Sequence, residues 1–240
     1  VHAVLLLDGR PDVGHVAVRD PVREVEPGAR GVEPRARLIG EYVSRVLKCA
    51  RGIDEPARRY RERHVVTSIA HVELGVADQV KFIHGDAAGY VSDDKASVAA
   101  CVGATWIAGG VVGTIELLAR SLRTGGIILI GEPYWRQLPP TEDVAKGCLA
   151  NSISDFLMLP ELLASFGHLG YDVVEMVLAD QDGWDRYEAA KWLTMRRWLE
   201  ANPEDDFATE VRARLTSEPK RHATYTREYL GWGVFALMPR

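Results

Sequence analysis

Val98-Ala99-Ala100-Cys101-Val102, the spaced set Val112, Ile115, Leu117, Leu118, Ala119 and Leu122, then Thr124-Gly125-Gly126 and Ile127-Ile128-Leu129-Ile130 are the part of the sequence that decides the fold. The first run is apolar at every position, as a strand buried on both faces must be. The second set recurs at helical spacing, and the paired glycines supply the stop that a helix needs before the chain turns back. A further continuous apolar run follows. Strand, helix, Gly-Gly, strand is a βαβ unit, whose right-handed crossover lays its helix over a parallel pair.

Downstream, Pro139-Pro140 marks a loop, and the apolar spacing predicts helices from about 143 and over 159–169 and a strand over 171–178. After Asp182-Gly183 a long helix is expected to run to about 200, where Asn202-Pro203 stops it. A short helix over 208–215 and a last strand over 233–238 complete this half. Upstream, 80–84 reads as a strand ending at Gly85-Asp86. The alternation of strands and helices is regular from about residue 66, the habit of an α/β sheet.

Residues 1–65 differ. Leu5-Leu6-Leu7 and Val16-Ala17-Val18 read as short strands, but Gly9, Pro11, Pro21, Pro27, Gly28, Gly31 and Pro34 interrupt the stretch and arginine is dense. There is no internal repeat. The expectation is one α/β domain over 1–240, with a divergent or degenerate part over 1–65 and a well-patterned part over 66–240.

The 240 residues are 47% apolar and 26% charged, as in an ordinary soluble globular chain. With 34 acidic against 29 basic residues the net charge is −5, so the basic footprint that holds a phosphate backbone is missing and nucleic acid is not an expected partner. The arginines of 51–63 are interleaved with Asp54, Glu55 and Glu62 and read as a solvated helix face. Cys49, Cys101 and Cys148 are an odd number at no metal-like spacing, which points to a reducing compartment and to no metal. No apolar run approaches the roughly 18 residues of a membrane span, and Val4 to Leu7 is too short for a signal-peptide core. The expected location is the cytoplasm, with no membrane contact; the oligomeric state stays open.

In an open parallel sheet a nucleotide cofactor sits at the carboxyl ends of the strands, where loops offer backbone N–H groups. Those ends read Gly85-Asp86-Ala87-Ala88, Gly103-Ala104-Thr105-Trp106 and Gly131-Glu132-Pro133-Tyr134-Trp135. Each places small residues where a ligand must approach backbone, followed by a carboxylate or an aromatic ring. One alone is an ordinary βα turn; three in register suggest a site.

These stretches, with Glu73-Leu74-Gly75-Val76 before them and Asp182-Gly183-Trp184-Asp185-Arg186-Tyr187-Glu188 after, resemble a small bacterial group of class I, Rossmann-like methyltransferases that use S-adenosylmethionine. The resemblance covers about 70–240. It implies a three-layer sandwich around a mostly parallel seven-stranded sheet whose last strand is antiparallel. It further implies that Asp86 accepts from the adenine amine while Gly85 and Ala87 offer backbone, that Gly103 and Ala104 flank the methionine end, and that Asp54 holds the ribose hydroxyls. Trp106 would face the cationic cofactor, since ring faces attract such charge. Tyr134, Trp135, Trp184 and Tyr187 would line a small-molecule acceptor.

The family's G-x-G-x-G loop is not recognisable. Residues 30–41 contain only Gly31 and Gly40, with Pro34 between them. Pro27-Gly28-Ala29-Arg30 and Gly52-Ile53-Asp54 look like the lead-in to the first strand and the end of the second. Length is kept while pattern is lost, as divergence or a shifted reading frame would leave it. Ser97 and Thr124 are milder departures, standing where relatives often have an acid and a proline.

Methyl transfer from a sulfonium needs alignment more than covalent help, and a base only when the acceptor arrives protonated. Glu132 is the first candidate base, with Asp182 and Asp185 behind it. Each has a plainer reading: Glu132 as a loop carboxylate capping backbone, Asp182 as the N-cap of the long helix. His84, Tyr225, Tyr229 and Trp232 are read chiefly as packing residues. Against an enzyme stands a methyltransferase-like scaffold that has lost its cofactor loop and only binds. A nicotinamide oxidoreductase fares worse, because no G-x-G-x-x-G follows a strand.

Overall fold

The computed structural model describes residues 4–7 and 87–240. Its order is β1 (Val4–Leu7), β2 (Ala96–Val102), α1 (Val111–Ala119), β3 (Leu122–Trp135), α2 (Glu142–Gly147), α3 (Leu159–His168), β4 (Tyr171–Leu178), α4 (Gln181–Ala201), α5 (Ala208–Arg221) and β5 (Leu230–Pro239). The strands lie in the order β1-β2-β3-β5-β4. β2 and β3 pair in parallel through α1, as the βαβ reading requires, while β5 runs antiparallel between β3 and β4.

Alternation along the strands sorts their side chains into two cores. Ala99, Cys101, Ile128, Ile130, Phe235 and Leu237 point to one face and are covered there by Ile115 and Leu118 of α1 and Leu162 and Phe166 of α3. Ala100, Leu129, Val234 and Ala236 point to the other. Every one of these sheet residues is almost wholly buried. Burial on both faces explains why the strands read as unbroken apolar runs.

Three expectations need correction. Among the described residues the sheet has five strands rather than seven, and three of its four pairings are antiparallel, not most of them parallel. The α/β class and the antiparallel last strand stand. Second, β3 does not end at Ile130. It continues to Trp135 because β5 pairs with it throughout, from Ile128↔Leu237 to Trp135↔Leu230. Gly131 and Pro133 suggest a loop, but the pairing with β2 ends at Val102↔Gly131, so beyond it β3 is an edge on that side and tolerates a proline.

Third, the cap of α4 is Asp180, not Asp182: its Oδ1 accepts from the Gly183 N–H at 2.6 Å. Asp182 is an exposed first-turn residue whose charge favours the helix amino terminus from outside. The short helix expected over 208–215 extends to Arg221 and passes through a π-turn, His222–Thr226, before β5. β3 also begins earlier than expected: α1 ends at Ala119, and Leu122 and Thr124-Gly125-Gly126 lie within the strand rather than in the helix and its stop. The last strand starts at Leu230, three residues early, and β4 falls where expected to the residue. Val16, Ala17, Val18 and the strand over 80–84 lie outside the described residues.

Candidate active site

The chain leaves β2 at Gly103, whose φ of 74° lies in the left-handed region that glycine tolerates best. Its N–H donates to the Gly131 carbonyl at 3.1 Å, tying the ends of β2 and β3 together. A Cβ at Gly103 would stand 3.2 Å from the Trp232 ring. Backbone conformation and space therefore both ask for glycine here. Ala104 is buried, and Thr105–Ala108 forms a 3-10 turn that leads through Gly109 and Gly110 into α1.

Beneath that turn lies Glu132. It shares the face of Ile128 and Ile130, is 8% exposed, and its Oε2 accepts from the Thr105 hydroxyl at 2.7 Å. Burial pushes its carboxyl from 4.5 up to about 7, a rise that the Thr105 hydrogen bond partly offsets. The neighbouring Cys101 thiol is pushed up to about 11, first by burial and further by the charge of Glu132. A thiol so protonated is no nucleophile at neutral pH.

The aromatic candidates divide. Trp135 is 1% exposed, donates its indole N–H to the Ile153 carbonyl at 2.7 Å and meets Phe156 edge to face, so it belongs to the core. Tyr134 is 5% exposed, and the hydroxyl end of its ring packs against the bare backbone of Gly231. Both were expected to line the acceptor; continued pairing of β3 with β5 packs them away. Trp106 lies 64% exposed on the 3-10 turn.

Trp184, in the first turn of α4, stacks on Trp232 at 6.2 Å between centroids, with Tyr187 5.7 Å away. Trp184 and Trp232 line a small open pocket with Arg136, Asp180, Gln181 and Arg227. Trp232 thus joins this pocket to the Gly103 turn, since its ring edge also bounds Gly131. Nothing in the sequence marked Trp232 for this, because its place depends on the pairing Pro133↔Trp232. Thr105, Arg136 and Arg227 were missed for the same reason: their partners are distant in sequence.

Asp182 stands in solvent, 3.7 Å from Arg186, and does not line the pocket. Asp185 is committed: Oδ1 meets His222 Nε2 at 2.8 Å and Oδ2 accepts from Arg227 Nε at 3.1 Å. The His222 hydrogen bond, followed by Arg227, holds this carboxyl below the usual carboxylate range. Ala87 opens a 3-10 turn, Ala87–Gly89. Asp54, His84, Gly85 and Asp86 lie outside the described residues. Among the described residues no cluster of acidic, histidine and cysteine side chains could hold a metal, and no helix is long and apolar enough to cross a membrane.

A solved S-adenosylmethionine-dependent methyltransferase from Geobacter sulfurreducens, in complex with S-adenosyl-L-homocysteine, is 86% identical in sequence, with a TM-score of 0.71 over 72% of this chain and 70% of its own. The chain belongs to the S-adenosylmethionine-dependent methyltransferases. A second such enzyme with the same product bound, from Thiobacillus denitrificans, is 77% identical with a TM-score of 0.70, covering 72% of this chain and 70% of its own. The uncharacterized protein YjhP of Escherichia coli strain K12 is 71% identical over 168 residues, 70% of this chain and 68% of its own. No protein-family profile matches the chain.

S-adenosylmethionine is accordingly the cofactor of this methyltransferase. The end of β2 suits it: Gly103 presents bare backbone where a ligand must come close, and buried Ala104 adds no bulk. Bound there, the cofactor would supply a methyl group already activated by a positively charged sulfur.

Proposed function

We propose that this methyltransferase acts on a small-molecule acceptor and that Glu132 takes the acceptor's proton as the methyl group arrives. One observation carries the reading. A carboxyl 8% exposed, pushed up to about 7, stands beneath the turn that follows the cofactor-side strand. Near neutral pH such a group is part anion, able to accept a proton, and part acid, able to release it again, which is what a general base requires. A residue serving only to cap backbone would need no such burial. The Gly103 turn would hold the methionine end, with Ala104 and Trp106 beside it. Asp86, Gly85 and Ala87 would hold the adenine and Asp54 the ribose. Trp184, Tyr187 and Trp232 would flank the acceptor, whereas Asp182 has no support as a second base.

The same reading makes the chain one α/β domain, in the cytoplasm and without nucleic acid. The net charge of −5 supports the absence of nucleic acid. The test is release of S-adenosylhomocysteine with a panel of phenols, amines and carboxylates, comparing the native chain with Glu132→Gln. The variant should keep product binding and lose about 10²–10⁴ in kcat. Full activity in the variant would remove Glu132 from the chemistry.

A second reading has one feature in its favour. The missing glycine loop over 30–41 suits a scaffold that no longer grips the cofactor.

A further inference from the structure

Glu132 is not held symmetrically. Its Oε2 accepts from the Thr105 hydroxyl, while Oε1 has no hydrogen bond among the described residues and is not among the side-chain atoms sealed from solvent. Thr105 is itself fixed. Its carbonyl accepts from the hydroxyl of the fully buried Thr114 at 2.7 Å and from the Gly110 N–H at 3.0 Å. The hydroxyl that meets Glu132 thus hangs from a residue whose carbonyl is held by two donors, and Thr105 is only 8% exposed.

We infer that Thr105 is a positioning residue for the base: it occupies Oε2 so that Oε1 alone is presented to the acceptor's proton. The inference rests on the proposed role of Glu132. A hydroxyl donating to a buried carboxylate favours the ionised form. It therefore keeps Glu132 usable as a base at a depth where burial alone would hold it neutral. Without that donor neither oxygen is held by a hydrogen bond, and the carboxyl stays protonated to higher pH.

The experiment is a carbon-13 NMR titration of the full chain labelled at the glutamate side-chain carboxyl carbons. The resonance absent from Glu132→Gln assigns Glu132. In Thr105→Val, which keeps shape and removes the hydroxyl, the midpoint of that resonance should rise by about one pH unit, a tenfold gain in proton affinity. Thr105→Ser, which restores the donor, should return it to the native value. Thr105→Ala reads the same change if the valine variant does not fold.

Unchanged midpoints in the folded hydroxyl-less variants would overturn the inference, as would a serine variant that behaves like valine. The titration needs no acceptor and no turnover. If Glu132→Gln retains full methyl transfer while the midpoint still follows the Thr105 hydroxyl, the base reading fails and the hydrogen bond remains as structure. If Glu132→Gln is inactive and the midpoint ignores Thr105, only the positioning role fails.

Discussion

Glu132 illustrates how a site residue burdens the fold that carries it. Its carboxyl has a higher pKa folded, about 7, than the 4.5 of an ordinary glutamate. A group raised on folding contributes stability below its unfolded pKa and loses it as pH rises through the folded one. Between about pH 4.5 and 7 the cost of ionising it in place therefore grows, towards about 3 kcal/mol. Glu132→Gln, which keeps an oxygen for the Thr105 hydroxyl, should raise the melting temperature at pH 8 and leave it nearly unchanged at pH 4.5. Thermal melts at the two pH values check this, and equal gains at both would contradict it. Asp185 has the opposite sign. Its lowered pKa makes its ties to His222 and Arg227 stabilising above the ordinary aspartate range, and they are lost as pH falls through the depressed value. Asp185→Asn should accordingly lower the melting temperature at pH 7 and make no difference once the native carboxyl is protonated. The cysteines give a third check. Cys101 and Cys148 are buried with thiols pushed up to about 11, so Cys49→Ser should take up no thiol reagent natively and two equivalents in denaturant.

At the scale of elements, the β3–β5 pair decides what the site contains. Close approach of Tyr134 to the bare backbone of Gly231 permits eight residues of β3 to pair without a break, from Ile128 to Trp135. Gly231→Ala would put a methyl group into that ring and should cost about 1–3 kcal/mol; urea unfolding measures it, and a neutral result would show that the packing gives way. The same pair marks where sequence reading succeeds and where it stops. The βαβ unit was legible because burial of β2 and β3 on both faces and helical spacing are local signals, and β4, though partly exposed, because a run of β-branched and apolar residues is one too. The second half of β3 was not, since Gly131 and Pro133 look like a turn until β5 arrives from about a hundred residues downstream. The site divided likewise. Gly103 and Glu132 could be picked out as strand-end residues. The Thr105 hydrogen bond, the Trp184–Trp232 stack and the capping of α4 by Asp180 depend on partners or on a two-residue choice of helix start that spacing does not fix.

Across the whole molecule, identities of 71–86% cover about 70% of the chain, while residues 30–41 lack the family's glycine loop. That contrast is sharp for divergence alone. A shifted reading frame in the gene should be visible as a G-x-G-x-G loop in another translation of the segment encoding 27–54. Resequencing and three-frame translation check it, and no such loop in any frame would leave divergence. The sheet itself does not hang on the answer, because β2, β3, β5 and β4 build both cores from residues beyond 95. Cofactor binding does hang on it. Calorimetric titration of the purified chain with S-adenosylhomocysteine is therefore the most direct measurement. A working methyltransferase should bind in the micromolar range, about −8 kcal/mol, and lose that binding in Asp86→Ala; no heat from a folded chain would contradict it and leave a scaffold without its cofactor.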